Sequence, residues 1–366
     1  MTCGRSPLEY NGGIEIHVME VSKRLANVGI NVKILSTSTT CKFPQRYLKD
    51  RVTFDIFPAI APFSYYFSIP QYGAIKTESA QILHAHGYQD FSFLASVLGR
   101  KKRQKLLITI HSGWPATQLT LLVNRCYRVV TRKLFERADK IIGVSAADLE
   151  IFGFGAKTSD SNKTAIIPNG VNFGDFANKQ DLPSSIPENY RFVLSIGRLE
   201  RYKGHHYVIE GFAKLKASKA LNVDLKLVIV GSGSYRWKLE DLISRFKLQK
   251  DVFILSNLER KEIIGLYQKC AFFILLSQYE SQCIAVSEAI AAGKPVLVSA
   301  TSALKEYVKK GWCTSVPYPP QKDIVAAKMQ ELLERPNSFV ARNVKLDSWD
   351  DVAKKLVSLY HEVLGH

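Results

Sequence analysis

Apolar positions along this chain follow two recurring patterns. Short continuous runs, β-branched and aromatic, occur at Asn31 to Ser36, Val52 to Ala59, Ile82 to His86, Leu106 to Ile110 and Lys140 to Val144. They recur at Phe192 to Ile196, Leu225 to Val230, Val252 to Ser256, Ala271 to Leu276 and Pro295 to Ser299. Runs of this length without polar alternation predict strands of a parallel sheet covered on both faces. Between them lie stretches with helical spacing. From Ile14 to Val28, the positions Val18, Val21 and Leu25 share one face, and Gly29 ends the pattern. Cys283 to Ala292 is rich in Ala, Ile and Val and is stopped by Gly293 and Pro295. Leu119 to Arg137, Glu259 to Lys269, residues 321–335 and Trp349 to Leu364 read as further helices. Residues 173–190 hold two prolines and little periodicity, and read as a linker. The alternation in two blocks predicts two doubly wound α/β domains: residues 1–178, without an apolar first strand, then residues 191–345. A last helical segment follows at 346–366.

Composition adds three constraints. At 366 residues with 46% hydrophobic positions, two cores are expected. No run of eighteen apolar residues marks a membrane span, and the amino-terminal residues lack the apolar centre of a signal peptide. Six scattered cysteines argue against a zinc or disulfide framework and for a reducing, cytoplasmic setting. The net charge of +17 calls for an anionic partner: nucleotide phosphates, nucleic acid or an anionic membrane surface. The charge is densest at Arg100 to Lys105 and on the Leu119 to Arg137 segment. A solvated basic face is the default there, a lipid-docking face the alternative. The aromatic stretch Phe57 to Tyr72 reads as a loop packed under a helix, with an acceptor-side or membrane-touching lip as its alternative.

The candidate chemistry clusters at strand ends. Glu280 stands in the loop after one buried strand, and Glu288 two turns along the next helix. Ligands of open α/β sheets bind at that edge. An ionised carboxylate accepts strong hydrogen bonds from hydroxyls, which suits polyols. The opening amides of that helix, at Ile284 and Ala285, favour an anion. Arg198 and Lys203 follow another strand, a layout that suits phosphate. Gly231 and Gly233 follow a third strand. Arg236 stands where a dinucleotide fingerprint needs its third glycine, so nicotinamide binding is a weak reading. Gly12 and Gly13 precede a helix, where glycine admits close backbone approach of a ligand. His84 and His86 share one strand face by period two. Metal ligation there needs a third ligand that the neighbouring sequence does not supply. His111 ends another strand.

In order, these segments resemble a known family. Gly12-Gly13-Ile14-Glu15-Ile16-His17, Ile110-His111, Ala138-Asp139-Lys140 to Ser145, Pro168-Asn169-Gly170-Val171, Gly197-Arg198 with Lys203-Gly204, and Glu280 with Glu288 at Glu-x7-Glu spacing are similar to the motifs of retaining GT-B glycosyltransferases of family 4. The resemblance runs from Gly12 to about Val308. It departs in the missing first strand, in Asn172 for aspartate, in Cys283 for a small glycine, and in the glycine-free Ala300 to Ala303 loop.

The resemblance implies the GT-B fold: two Rossmann-like domains facing a cleft, with the last helix crossing back to the first domain. It implies a nucleotide-diphosphate sugar as donor and a glycan, lipid-linked or other hydroxyl acceptor, without metal or cofactor. Arg198 and Lys203 would neutralise the diphosphate, and Ile284 and Ala285 would add amides. Glu288 would take the ribose, and Glu280 and His111 the transferred sugar. Gly13, Gly231 and Gly233 would line the donor site. A GT-B sugar-nucleotide epimerase shares the fold but needs acid–base groups that the sequence does not display. A non-catalytic protein binding a membrane or nucleic acid would fit the charge alone. Nucleic acid is not expected, since no aromatic platform interleaves with the basic residues.

Overall fold

A computed structural model describes residues 1–10, 12–60, 69–70, 80–87, 96, 99–111, 132–154, 162–218 and 224–365. The chain divides into two compact units, one of Met1–Gly170 with Asp347–His366, the other of Val171–Leu346.

Among the described residues, unit 1 holds a nine-stranded sheet. Its strands are β1 (Thr2–Cys3), β2 (Lys33–Ser38), β3 (Gln45–Lys49), β4 (Val52–Ile60), β5 (Ile69–Pro70), β6 (Ile82–His86), β7 (Lys105–Ile110), β8 (Lys140–Gly143) and β9 (Thr164–Ile166). The order is β3-β4-β2-β1-β6-β7-β8-β9, with β5 against β4. Pairing is parallel apart from β3 and β5, each antiparallel to β4. A first strand is present, cut to two residues. Thr2–Cys3 is a two-residue strand, pairing Thr2 with Leu35 on one side and with Ala85 on the other. Its brevity and its polar Thr2 hid it from a hydrophobic pattern. Helix α1 (Gly13–Asn27) packs Val18, Val21 and Leu25 inward, as its period predicts. Helix α2 (Ala146–Ile151) starts at Ser145, whose side chain accepts the Asp148 amide.

Unit 2 is a six-stranded, all-parallel sheet in the order β12-β11-β10-β13-β14-β15. The strands are β10 (Arg191–Ile196), β11 (Leu225–Val230), β12 (Val252–Leu255), β13 (Phe272–Leu275), β14 (Val296–Ser299) and β15 (Thr314–Val316). Helices α3 (His205–Ala217), α4 (Arg236–Arg245), α5 (Arg260–Lys269), α6 (Ile284–Ala291), α7 (Leu304–Lys309) and α8 (Lys322–Glu334) connect or flank them. Two apolar clusters cover the two faces. Val193, Leu227, Ile229 and Ile274 point into one, and Leu194, Val228, Phe273 and Leu275 into the other. Alternate residues of the same strands are buried on opposite sides, which is why these runs show no polar alternation.

Residues 173–190 are not a free linker. Ile186 is buried in a unit 2 cluster, and the Gln180 amide donates to Gln268 Oε1 at 2.8 Å. The final helix α9 (Trp349–Leu364) belongs to unit 1, as the fold expectation requires. Ser348 and Asp351 cap it reciprocally. Its Tyr360 hydroxyl lies 2.7 Å from His84 Nδ1, and Glu362 pairs with Lys140 at 2.7 Å. Most of the predicted basic helix Leu119 to Arg137 and of the aromatic stretch to Tyr72 lies outside the described residues.

One close approach fixes the turn that carries the basic pair of unit 2. Gly204 sits at φ +74°, and a Cβ there would collide with the Leu276 carbonyl oxygen. Gly204→Ala should therefore destabilise unit 2 by more than about 2 kcal/mol. A drop in the urea midpoint reads this out, and an unchanged midpoint refutes it.

Candidate functional site

Unit 2 gathers its charged groups around the point where the strand order reverses, between β10 and β13. Just after β10, the chain makes a short 3-10 turn, Arg201–Lys203, ended by Gly204 in the left-handed region. This turn aims Lys203 at the loop after β13. Its ammonium meets Glu280 Oε1 at 2.6 Å, and the two side chains are only 14% and 8% exposed. Ser277 Oγ donates to the same oxygen at 2.6 Å, and the Glu280 amide donates to Ser302 Oγ at 2.8 Å. Burial alone would push the Lys203 ammonium toward neutrality. The Glu280 carboxylate, with Tyr202 and Cys283 nearby, reverses the sign and holds Lys203 above its ordinary value. Arg198 donates to the Tyr202 hydroxyl and lies 5.5 Å over that ring.

The second carboxylate of the Glu-x7-Glu pair has its own cation. Glu288 Oε1 lies 2.6 Å from Arg260, which also meets Asp175 at 2.9 Å. Arg260 opens α5 and Asp175 lies in the segment first read as linker, so this partnership has no local sequence signal. Ile284 and Ala285 begin α6, where the first amides lack intrahelical acceptors. The Ala285 and Val286 amides face the Cys283 sulfur, and burial pushes that thiol up. Cys283 holds φ +80°, in the left-handed region that glycine adopts without strain. Gly231 and Gly233 serve the fold itself. A Cβ on either would collide with the carbonyl oxygen of Gly197 or Leu199, so their glycines let the loops after β10 and β11 close together.

In unit 1, Gly13 opens helix α1 and His111 directly follows strand β7. A Cβ on Gly13 would meet nothing within 4 Å, so no packing inside the protein demands glycine there. Glu15 is buried against Arg5 at 2.7 Å. His111 is not alone. It stacks with His86 at 5.7 Å between ring centroids and meets the edge of His17 at 4.7 Å. His17 Nδ1 lies 2.7 Å from Asn169 Oδ1, joining the Gly12 to His17 motif to the Pro168 to Val171 motif. Trp349 meets His17 edge to face at 5.6 Å between ring centroids. The third ligand that the neighbouring sequence did not supply for His84 and His86 has counterparts in space for His86 alone. His17 and His111 both meet His86, from elements that spacing along β6 cannot reveal. His84 turns elsewhere, with Nδ1 on Tyr360 and Nε2 on Thr109 Oγ1. Among the described residues, the groups positioned to hold a metal are His17, His86 and His111.

Burial dominates the electrostatics of this cluster. It lowers His17 from 6.5 to about 4, against the raising effect of Asn169. It drives His84, His86 and His111 well below 6.5, helped by neighbouring imidazoles. All four are neutral near pH 7.

Two sheets of this order, each with its polar groups at the carboxyl edge, define two doubly wound α/β units. The family model "Glycosyltransferase Family 4" matches residues 11–174, and "Glycosyl transferases group 1" matches residues 177–345. The chain belongs to this family of GT-B glycosyltransferases. An uncharacterized glycosyltransferase of Methanocaldococcus jannaschii is 30% identical over 54% of this chain and 54% of its own length, so the chain spans about half of that relative. The glycogen synthase of Mycobacterium tuberculosis is 25% identical over 95% of this chain and 91% of its own. In fold, the chain is similar to sucrose-phosphate synthase from Thermosynechococcus elongatus, with a TM-score of 0.75 at 19% identity over 100% of this chain and 98% of that one. It is also similar to an Anabaena protein solved with UDP and glucose, with a TM-score of 0.75 at 17% identity over 98% of both chains.

The histidine cluster carries a pH signature. Since the folded pKa values lie below the unfolded one, the unfolded chain binds protons first as pH falls. Unit 1 should lose stability from pH 6.5 toward 4, in the window set by His17. The size is a few kcal/mol at about 1.4 kcal/mol per pKa unit. Urea melts with chelator present should show this fall, shallower in His17→Gln. An equal slope in that variant contradicts the assignment.

Proposed function

We propose that the chain transfers a sugar from a nucleotide-diphosphate sugar to a hydroxyl acceptor, with retention at the anomeric carbon. The observation that carries this reading is the buried Lys203–Glu280 pair at the reversal point of the unit 2 sheet, flanked by Arg198 and the start of α6. A diphosphate leaving group needs cations, and a developing oxocarbenium ion needs a carboxylate and hydroxyl-binding groups. This pair supplies both within one hydrogen-bond length.

In the proposed reaction Arg198 and Lys203 neutralise the diphosphate as the bond from the anomeric carbon to its oxygen breaks. The Ile284 and Ala285 amides add donors. Glu280, with Oε1 committed to Lys203 and Ser277, gives Oε2 to the sugar hydroxyls. Glu288, fixed by Arg260, takes the ribose hydroxyls, while Gly13, Gly231 and Gly233 admit the donor closely. Neutral His111 donates to a sugar hydroxyl. The acceptor oxygen attacks from the leaving-group face and passes its proton to the departing phosphate, so no protein base is needed. Basic side chains take the place of a metal at the diphosphate.

The acceptor is a glycan or a lipid-linked glycan. Support comes from relatives: a protein of Komagataeibacter xylinus, 25% identical over 78% of this chain, is a GDP-mannose:cellobiosyl-diphosphopolyprenol alpha-mannosyltransferase. The net charge of +17 favours peripheral contact with an anionic membrane face in the cytoplasm. Among the described residues, no helix is long and apolar enough to cross a membrane.

Lys203→Ala and Glu280→Gln should each cut transfer at least ~100-fold without unfolding the chain. Nucleoside diphosphate release from UDP-, GDP- and ADP-sugars, with chelator present, measures this, and product NMR reads the anomeric configuration. Full activity in either variant, or an inverted product, would refute the mechanism. Sedimentation with anionic vesicles should be strong at low salt and lost at high salt; indifference to lipid charge removes the membrane contact.

A further inference from the structure

We propose that His17, His86 and His111 form a binding site for a divalent transition metal, zinc by the chemistry of its donors. One ring nitrogen from each lies within 4.8 Å of the other two. One nitrogen of this cluster, His17 Nε2, is buried with no hydrogen-bond partner. Such groups cost free energy unless something fills the gap, and a protein core rarely tolerates them idle. The 3.4 Å between His86 Nδ1 and His111 Nε2 is long for an N–H···N bond. It matches the edge of a tetrahedron with zinc–nitrogen bonds of about 2.0–2.1 Å, roughly 3.3–3.4 Å.

The tautomers suit a metal as well. Asn169 Oδ1 accepts from His17 Nδ1, which leaves the lone pair on the unpartnered Nε2. A carbonyl behind a ligating imidazole fixes its ring and raises its basicity. Burial keeps the rings neutral, the form a metal binds. An all-imidazole set selects zinc and its neighbours over magnesium or calcium, which take oxygen. Three histidines leave a fourth position open. Among the described residues no carboxylate joins the cluster, so the open position favours hydroxide or another anion. All three ligands belong to unit 1, and His17 and His86 have no role in the proposed transfer. It shares His111 with the proposed sugar site, so metal and sugar compete for that ring.

The untagged, chelator-stripped chain titrated with cobalt(II) should show visible tetrahedral absorption saturating at one equivalent and displaced by zinc. His17→Gln and His111→Gln should weaken binding at least about tenfold, and Asn169→Leu by roughly 10–100-fold. Circular dichroism checks that each variant folds. Absence of stoichiometric binding by the unaltered chain overturns the proposal, whatever the variants do. Binding unaffected by His17→Gln and His111→Gln overturns it too, as an adventitious surface ion. A second arm rests on the proposed role of His111: zinc should inhibit nucleoside diphosphate release, and chelator should reverse it. Binding without inhibition supports the site and counts against a sugar contact at His111.

Discussion

An ammonium and a carboxylate taken out of water together set the terms for unit 2. Neither Lys203 nor Glu280 would stay charged in that position alone, because burial costs each several kcal/mol. At 2.6 Å each is the other's solvent, and Ser277 completes the shell. Such a pair adds little to stability compared with apolar residues of the same size. Its value is that two full charges stand in fixed positions at low dielectric. The surrounding backbone is arranged to keep them there. Gly204 adopts a left-handed turn against Leu276, and Gly231 and Gly233 bring the loop after β11 against the loop after β10.

Much of this was legible from residue types in order. Fully apolar strands announced parallel sheets covered on both faces, and ten of the observed strands fall on those runs. Short strands with polar residues were not legible. β1 rests on Thr2 and Cys3, and its identity comes from two neighbours, β2 and β6, that a linear pattern cannot see. The segment 173–190 misled for a related reason. Prolines and weak periodicity describe its backbone, but Ile186 and Asp175 are fixed by contacts from α5 and the core beyond it.

The same division runs through the candidate site. Motif spacing located Glu280, Lys203 and Arg198 because each follows a strand that the pattern had marked. It missed Arg260, since nothing near residue 260 indicates a carboxylate 28 positions later. It also missed how His17 would be used. The residue was visible as a motif letter, but an α-helix face and two strand ends had to meet before it acquired neighbours.

Strand order explains why both units concentrate their polar groups where they do. In each sheet the chain leaves the first strand to one side and returns on the other, so two successive loops diverge and leave a crevice between them. In unit 2 those loops carry Lys203 and Glu280, which arrive with opposite charge and neutralise each other. In unit 1 the corresponding elements carry His17 and His86, with His111 beside them, and among the described residues no carboxylate joins the cluster. The imidazoles meet burial by giving up their protons instead, which leaves basic lone pairs facing one another in a dry cluster. The same topology therefore yields a charged pair in one unit and a set of neutral ligands in the other, and the difference lies only in which side chains the strand ends supply.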